Sequence, residues 1–290
     1  MSTEDVVKGS TIYCTYDSLD EMADAAKRRH TMGGQRLDNL GDGSGGKRHG
    51  EYGEDYEWYG GTFQEALDLA EHGWEEKLDE TLAIMESAIE KVEKEHEVKA
   101  FTPVWEVTGA EVDVARYLEG VPENMIDFPM QEVSKHGKVI TFCASIAASA
   151  AIDPDALIRR GQVLAAFAMI VTKLGYSAEL WVDMTVTNRK SCSFKTMVKG
   201  TNDTVDPAKI VFAYSHPGML RSLCFAIENG LPGKWYEQAC GWGRGMPAKP
   251  IENLPEGTIY LPQLLSGHNI PDADEQLLSL LEQVGLIAEA

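Results

Sequence analysis

Residues 138–149 read KVITFCASIAAS, residues 153–175 read DPDALIRRGQVLAAFAMIVTKLG, and residues 177–198 read SAELWVDMTVTNRKSCSFKTMV. The first block is apolar and rich in β-branched types, which predicts a strand over 139–146. Asp153-Pro154 is a helix start, because the carboxylate caps free amides and proline suits the first turn. The helix over 154–174 is nearly all apolar between Val163 and Val171, the pattern of a helix buried on most sides. Gly175 ends it. The third block alternates over 177–186, turns at 187–190 and returns as a strand over 192–198. A strand, a buried helix and a second strand in succession decide for an α/β fold. A strand that ends in serines and feeds a helix is where such folds build ligand sites. Ser145 and Ser149, with Thr201 and Asp203 from the polar turn at 199–204, are therefore candidate binding residues.

Upstream, residues 10–16 read as a strand, and Asp17 or Ser18 caps a helix over 19–30. Residues 33–61 contain 10 glycines in 29 positions, a composition that predicts loop. Thr62-Phe-Gln-Glu65 matches a capping box. From residue 74 to 97, apolar residues stand at Trp74, Leu78, Leu82, Met85, Ile89 and Val92, one helical stripe. Such a stripe packs a helix on its own domain. Leu78, Met85 and Val92 also repeat every seven, which makes helix 74–97 a route to a homo-oligomer. A short strand over 103–107 and a short helix over 110–118 complete this half.

Downstream, Asp206-Pro207 repeats the helix-start device, His216-Pro217 breaks the chain, and 219–229 reads as another helix. Residues 233–255 are irregular, and Gly241-Trp-Gly-Arg-Gly245 presents Trp242 and Arg244, residue types that anchor protein contacts. A strand over 258–265 and an amphipathic helix with Leu277, Leu281 and Val284 close the sequence. The expected organisation is a strand-helix segment at 1–32, a flexible loop at 33–61, a helical region at 62–133 and an α/β domain at 134–290.

Charge narrows the partners. With 46 acidic and 26 basic residues the net charge is -20, which disfavours nucleic acid and anionic membrane. The five cysteines are scattered without a CxxC pair, so neither a disulfide framework nor a zinc site is expected. The first residues are acidic and lack an apolar core, unlike a secretory signal. No apolar run reaches the length of a membrane span. A cytoplasmic location is the expectation.

Catalytic motifs are sparse. Residues 41–47 read GDGSGGK and fit two phosphate-loop patterns, but no apolar strand precedes them. No helix-forming run follows, and Arg48 stands where a hydroxyl is needed. No GxSxG elbow and no metal-ligand spacing of histidines occurs. No cofactor is expected.

From residue 139 to 289 the order of elements resembles the von Willebrand factor A-type domain. That resemblance implies a three-layer α/β fold, a sheet flanked by helices, preceded here by a helical N-terminal region. The family's first strand ends in Asp-x-Ser-x-Ser, which binds a divalent cation with a later Thr and Asp. Here Cys143 stands at the aspartate and Ala147 at the second serine. Ser145 matches, and Thr201 or Thr204 falls at the later loop. Without the carboxylate a magnesium site is poor, so no metal is expected.

The chain also resembles a family of phage-borne proteins of unknown function. The segments that carry this are Trp58-Tyr-Gly-Gly-Thr-Phe-Gln-Glu-Ala-Leu67, Glu119-Gly-Val-Pro-Glu-Asn-Met-Ile-Asp-Phe128, and 206–217. The resulting expectation is a non-enzymatic interaction protein of a phage or mobile element, with a protein partner and a degenerate A-type domain. A virion or assembly component is the first alternative. An enzyme or small-molecule binder using the crevice at the end of strand 139–146 is the second.

Overall fold

The structure, a computed structural model, describes residues 5–32, 59–100, 104–108, 111–127, 139–148, 152–173, 176–232, 235, 251, 254–264 and 273–284. Strands β1 (Val6–Lys8) and β2 (Thr11–Tyr16) lead into helix α1 (Leu19–Met32). Helix α2 (Phe63–His72), a 3-10 turn (Glu75–Lys77) and helix α3 (Leu78–Ala100) follow. Next come β3 (Val104–Glu106), β4 (Glu111–Val112), α4 (Val114–Leu118) and β5 (Met125–Asp127). The central block is β6 (Val139–Ser145), α5 (Pro154–Lys173), β7 (Ser177–Thr187) and β8 (Ser191–Lys199). Helix α6 (Pro207–Ser215), a π-helical stretch (Met219–Cys224), α7 (Phe225–Asn229), β9 (Ile259–Leu261) and α8 (Ala273–Gln283) complete the order.

The fold is mixed α/β, with a six-stranded mixed sheet flanked by helices. The sheet order is β1-β2-β8-β7-β6-β9. β6 runs parallel to β7 and β9, β7 antiparallel to β8, and β2 parallel to β8. The N-terminal strand-helix segment joins the main sheet through β1 and β2. Arg29 on α1 ties it down with two 2.6 Å contacts to the Asp5 carboxylate.

Residue parity sorts the sheet into two faces. Even-numbered side chains of β2, β6, β7 and β8, among them Ile12, Cys14, Phe142, Val182, Met184 and Phe194, are buried and almost all apolar. Helices α1, α5 and α6 all reach this face. Phe142 packs on Phe167 of α5 at 5.1 Å and on Tyr214 of α6 at 5.8 Å, and Arg29 of α1 approaches the Cys14 sulfur at 4.0 Å. Helix α5 is covered on its outer sides by α3, α6 and α8, which is why its run from Val163 to Val171 is wholly buried. Gly161 allows the close approach to α6, since a Cβ there would lie 2.1 Å from the Tyr214 carbonyl oxygen. The odd-numbered face is polar, and Ile251 lies over it, its amide donating to the Tyr260 hydroxyl at 3.3 Å.

Within 62–133, where a strand is expected over 103–107, β3, β5 and β4 form a small antiparallel sheet. Asp113 interrupts the helix expected over 110–118 by capping α4, accepting from the amides of Ala115 and Arg116 at 3.1 and 3.2 Å. The stripe on helix 74–97 packs inward, with Met85 and Ile89 buried in the core. No single helix among the described residues is long and apolar enough to cross a membrane.

Candidate functional site

The crevice expected at the end of β6 does not assemble. Ser145 is fully buried, and its hydroxyl donates to the Asp183 carbonyl at 3.4 Å. Thr201 lies at the other end of the sheet, where its carbonyl accepts from the Ser177 hydroxyl at 3.2 Å. Ser177 pairs with Val139, the first residue of β6, and Asp183 with Ser145, the last. That span is roughly 20 Å at about 3.3 Å per residue. Asp203 stays with Thr201, its carboxylate accepting from the Gly200 amide at 2.7 Å. Ser149, Trp242 and Arg244 lie outside the described residues, as do 33–58 of the expected glycine loop.

In place of the crevice there is a buried polar cluster on the odd-numbered face. Asp183 on β7 is 2% exposed. The Cys143 thiol approaches one of its oxygens at 3.9 Å, and the other has no hydrogen-bond partner among the described residues. Burial pushes the Asp183 carboxyl up to about 7, against the pull of Tyr260, Cys143, Lys195 and Thr185, which favour the charged form. Burial also raises the Cys143 thiol, with the Asp183 charge adding to it, so the sulfur is held as a thiol and is a poor nucleophile. Arg160 on α5 closes the end of the strand. Its guanidinium donates to the carbonyls of Ser145 at 2.9 Å and Pro262 at 2.7 Å. Burial lowers it to about 10.

The accessible site lies elsewhere, among the helices. A cleft of about 960 Å³ opens between α2, the turn after it, the start of α5 and the end of α6. Six carboxylates line it: Glu65, Asp68, Glu75, Glu76, Asp153 and Asp155. Among the described residues no lysine or arginine lines it. Two of them cap helix starts. Glu65 closes the capping box of α2, accepting from the Thr62 amide at 2.6 Å while the Thr62 hydroxyl accepts from Glu65 at 3.1 Å. Asp153 caps α5, accepting from the Asp155 amide at 2.8 Å. Acidic groups at helix starts are favoured by the helix dipole, and two helix starts converge here.

The floor of the cleft is aromatic. Gly73 holds a φ of +85° and lets the end of α2 meet the start of α6, because a Cβ there would fall 2.5 Å from that of Ala208. The Trp74 amide then donates to the Ala208 carbonyl at 2.9 Å, and its ring stands edge-on to His216 at 4.5 Å. His216 caps the end of α6, its amide donating to Phe212 at 3.0 Å. It is 8% exposed. Its Nδ1 accepts from the Gly218 amide at 3.0 Å, so in the neutral ring the proton sits on Nε2. Nε2 has no hydrogen-bond partner among the described residues. Burial pushes His216 down to about 4, with the Glu65 charge opposing. At neutral pH the cleft therefore presents the neutral N–H of His216 beneath a rim of negative charge.

Sequence reading missed this site. The capping box and the two Asp-Pro or His-Pro breaks were visible separately, and only tertiary packing brings them together.

No curated protein and no solved structure matches the chain. Residues 4–288 match a family model described as a domain of unknown function, DUF7192. With nearly its whole length covered, the chain belongs to the DUF7192 family.

Proposed function

We propose that this chain is a non-enzymatic interaction protein that takes a basic segment of a partner protein into the acidic cleft. The observation that carries the reading is the cleft itself: six carboxylates around a buried, neutral His216, with no lining lysine or arginine among the described residues. Lysine and arginine side chains of an extended segment would meet the rim. A backbone carbonyl would accept from His216 Nε2, and Trp74 offers apolar contact at the floor. Charge complementarity of this kind raises association rates and selects partners.

The strand order β8-β7-β6-β9 suits a degenerate A-type domain, with Cys143 at the position of the metal-binding aspartate. The resemblance to phage-borne proteins supports a phage or mobile-element setting, in which assembly of a particle is one use for such a contact.

A fluorescent peptide of alternating arginine and glycine tests the reading by anisotropy. Binding in the micromolar range is expected, weakening steeply between low and physiological salt. The variant combining Asp68→Asn, Glu75→Gln, Glu76→Gln and Asp155→Asn should keep its circular dichroism spectrum and lose binding by about tenfold or more. Equal binding by the variant, or none by the parent, would overturn the proposal.

A further inference from the structure

A second, smaller cavity lies on the odd-numbered face of the sheet. It measures about 350 Å³, and Lys8, Tyr13, Thr15, Ser193 and Lys195 from three adjacent strands line it. Register explains their convergence. Tyr13 pairs with Ser193 and Thr15 with Lys195 across β2 and β8, while Lys8 of β1 pairs with Thr11 of β2. Ile251 and Leu254 form an apolar wall.

The charge of this cavity is opposite to that of the chain. The sequence carries a net charge of -20, so a lysine ordinarily has carboxylates nearby to choose from. Neither lysine here has a carboxylate ion pair among the described residues. Lys195 Nζ lies 3.9 Å from the centre of the Trp181 ring, and Lys8 Nζ 5.9 Å from that of Tyr13. Asp183 stands directly opposite Lys195 in register. It is buried, and one of its oxygens has no hydrogen-bond partner among the described residues. Ser193 is held in place by a 3.0 Å hydrogen bond between its hydroxyl and that of Thr185. Two ammonium groups and three hydroxyls thus share one small cavity with an apolar side.

We propose that this cavity binds a small organic oxyanion, a phosphate monoester or a carboxylate on a short apolar body. The anionic head sits between Lys8 and Lys195 and takes hydrogen bonds from the Tyr13, Thr15 and Ser193 hydroxyls. The apolar body lies against Ile251 and Leu254. Lysine serves here as a point charge, which accepts either head group. The site is separate from the acidic cleft, and its test is independent of the proposal made for that cleft.

Calorimetric titration of the full chain with phenyl phosphate and with benzoate, using phenol as the uncharged control, tests this. Saturable binding of at least one anion on the order of millimolar is expected, with none for phenol. The stronger of the two identifies the head group. Lys195→Met should weaken it about tenfold, as loss of one charge-assisted contact does. Lys8→Met, on an exposed edge strand where folding is not at stake, should weaken it in the same direction. If neither anion saturates, if phenol binds as well, or if both lysine variants bind like the parent, the proposal is wrong.

Discussion

Phe142 and Cys143 are neighbours on β6 and both are fully buried, yet they sit in opposite surroundings. Phe142 meets the rings of Phe167 and Tyr214, and its place is decided by shape. Cys143 faces the carboxyl of Asp183, and its surroundings are decided by hydrogen bonding and protonation. The same alternation runs across β2, β8 and β7. One face of the sheet is held by packing, which pH and small ligands barely touch. The other holds ionisable and hydroxyl groups in a poorly hydrated space, so its energy depends on what is protonated and what is bound.

The largest test of that contrast is a pair of truncations one residue apart. Phe142→Ala should cost about 3–5 kcal/mol in urea unfolding, through lost burial and the cavity left behind. Cys143→Ala should cost about 1 kcal/mol, since it removes one sulfur. Similar costs would mean that the two faces are not energetically distinct.

Asp183 gives the next largest effect, and it depends on pH. An aspartate that titrates near 3.8 when unfolded and near 7 in place favours its neutral form in the folded chain. Its stabilising contribution is complete below the unfolded value. It is lost progressively as pH rises to about 7, and the loss levels off above that. Asp183→Asn keeps the shape without the charge, so it should match the parent near pH 4 and exceed it above pH 7. The excess should be on the order of 2–4 kcal/mol. Urea melts across this range would show the gap opening; a gap independent of pH would assign the titration to another group.

The smallest effect concerns the hydroxyl pair of Thr185 and Ser193. Thr185→Val alone should cost about 1–3 kcal/mol, because it leaves a buried serine oxygen unpaired. Adding Ser193→Ala should recover most of that loss, bringing the double variant within about 1 kcal/mol of the parent. A double variant worse than the single one would mean that the pair supports more than itself.

The packed face is the legible one. Strands at 139–146, 177–186 and 192–198 and the helix at 154–174 follow from periodicity, and the structure places elements at β6, β7, β8 and α5. The helix start at Asp206-Pro207 holds as well, with the Asp206 carboxylate accepting from the Lys209 amide at 3.1 Å. What fails is anything set by pairing between distant segments. The turn at 187–190 makes β8 antiparallel to β7, which carries Thr201 and Asp203 away from Ser145. That reversal is implied by the hairpin turn itself. Trp74 reads as the first residue of a helical stripe, yet Gly73 turns the chain and Trp74 joins the cleft. No local pattern announces that α2 and α6 meet there. The place of β2 beside β8 is equally silent, because a parallel neighbour leaves no turn to read.

The pairing of Thr11 with Ser191 also has a consequence in time. During synthesis β2 emerges far ahead of the strand it needs, and at 5–20 residues per second it waits roughly 10–40 s for β8. Through that interval its apolar side, with Ile12 and Cys14, has no sheet to join. Contacts so remote along the chain slow folding. Helix α1, which follows at once and whose Arg29 reaches both Asp5 and Cys14, is placed to shelter β2 until its neighbour arrives.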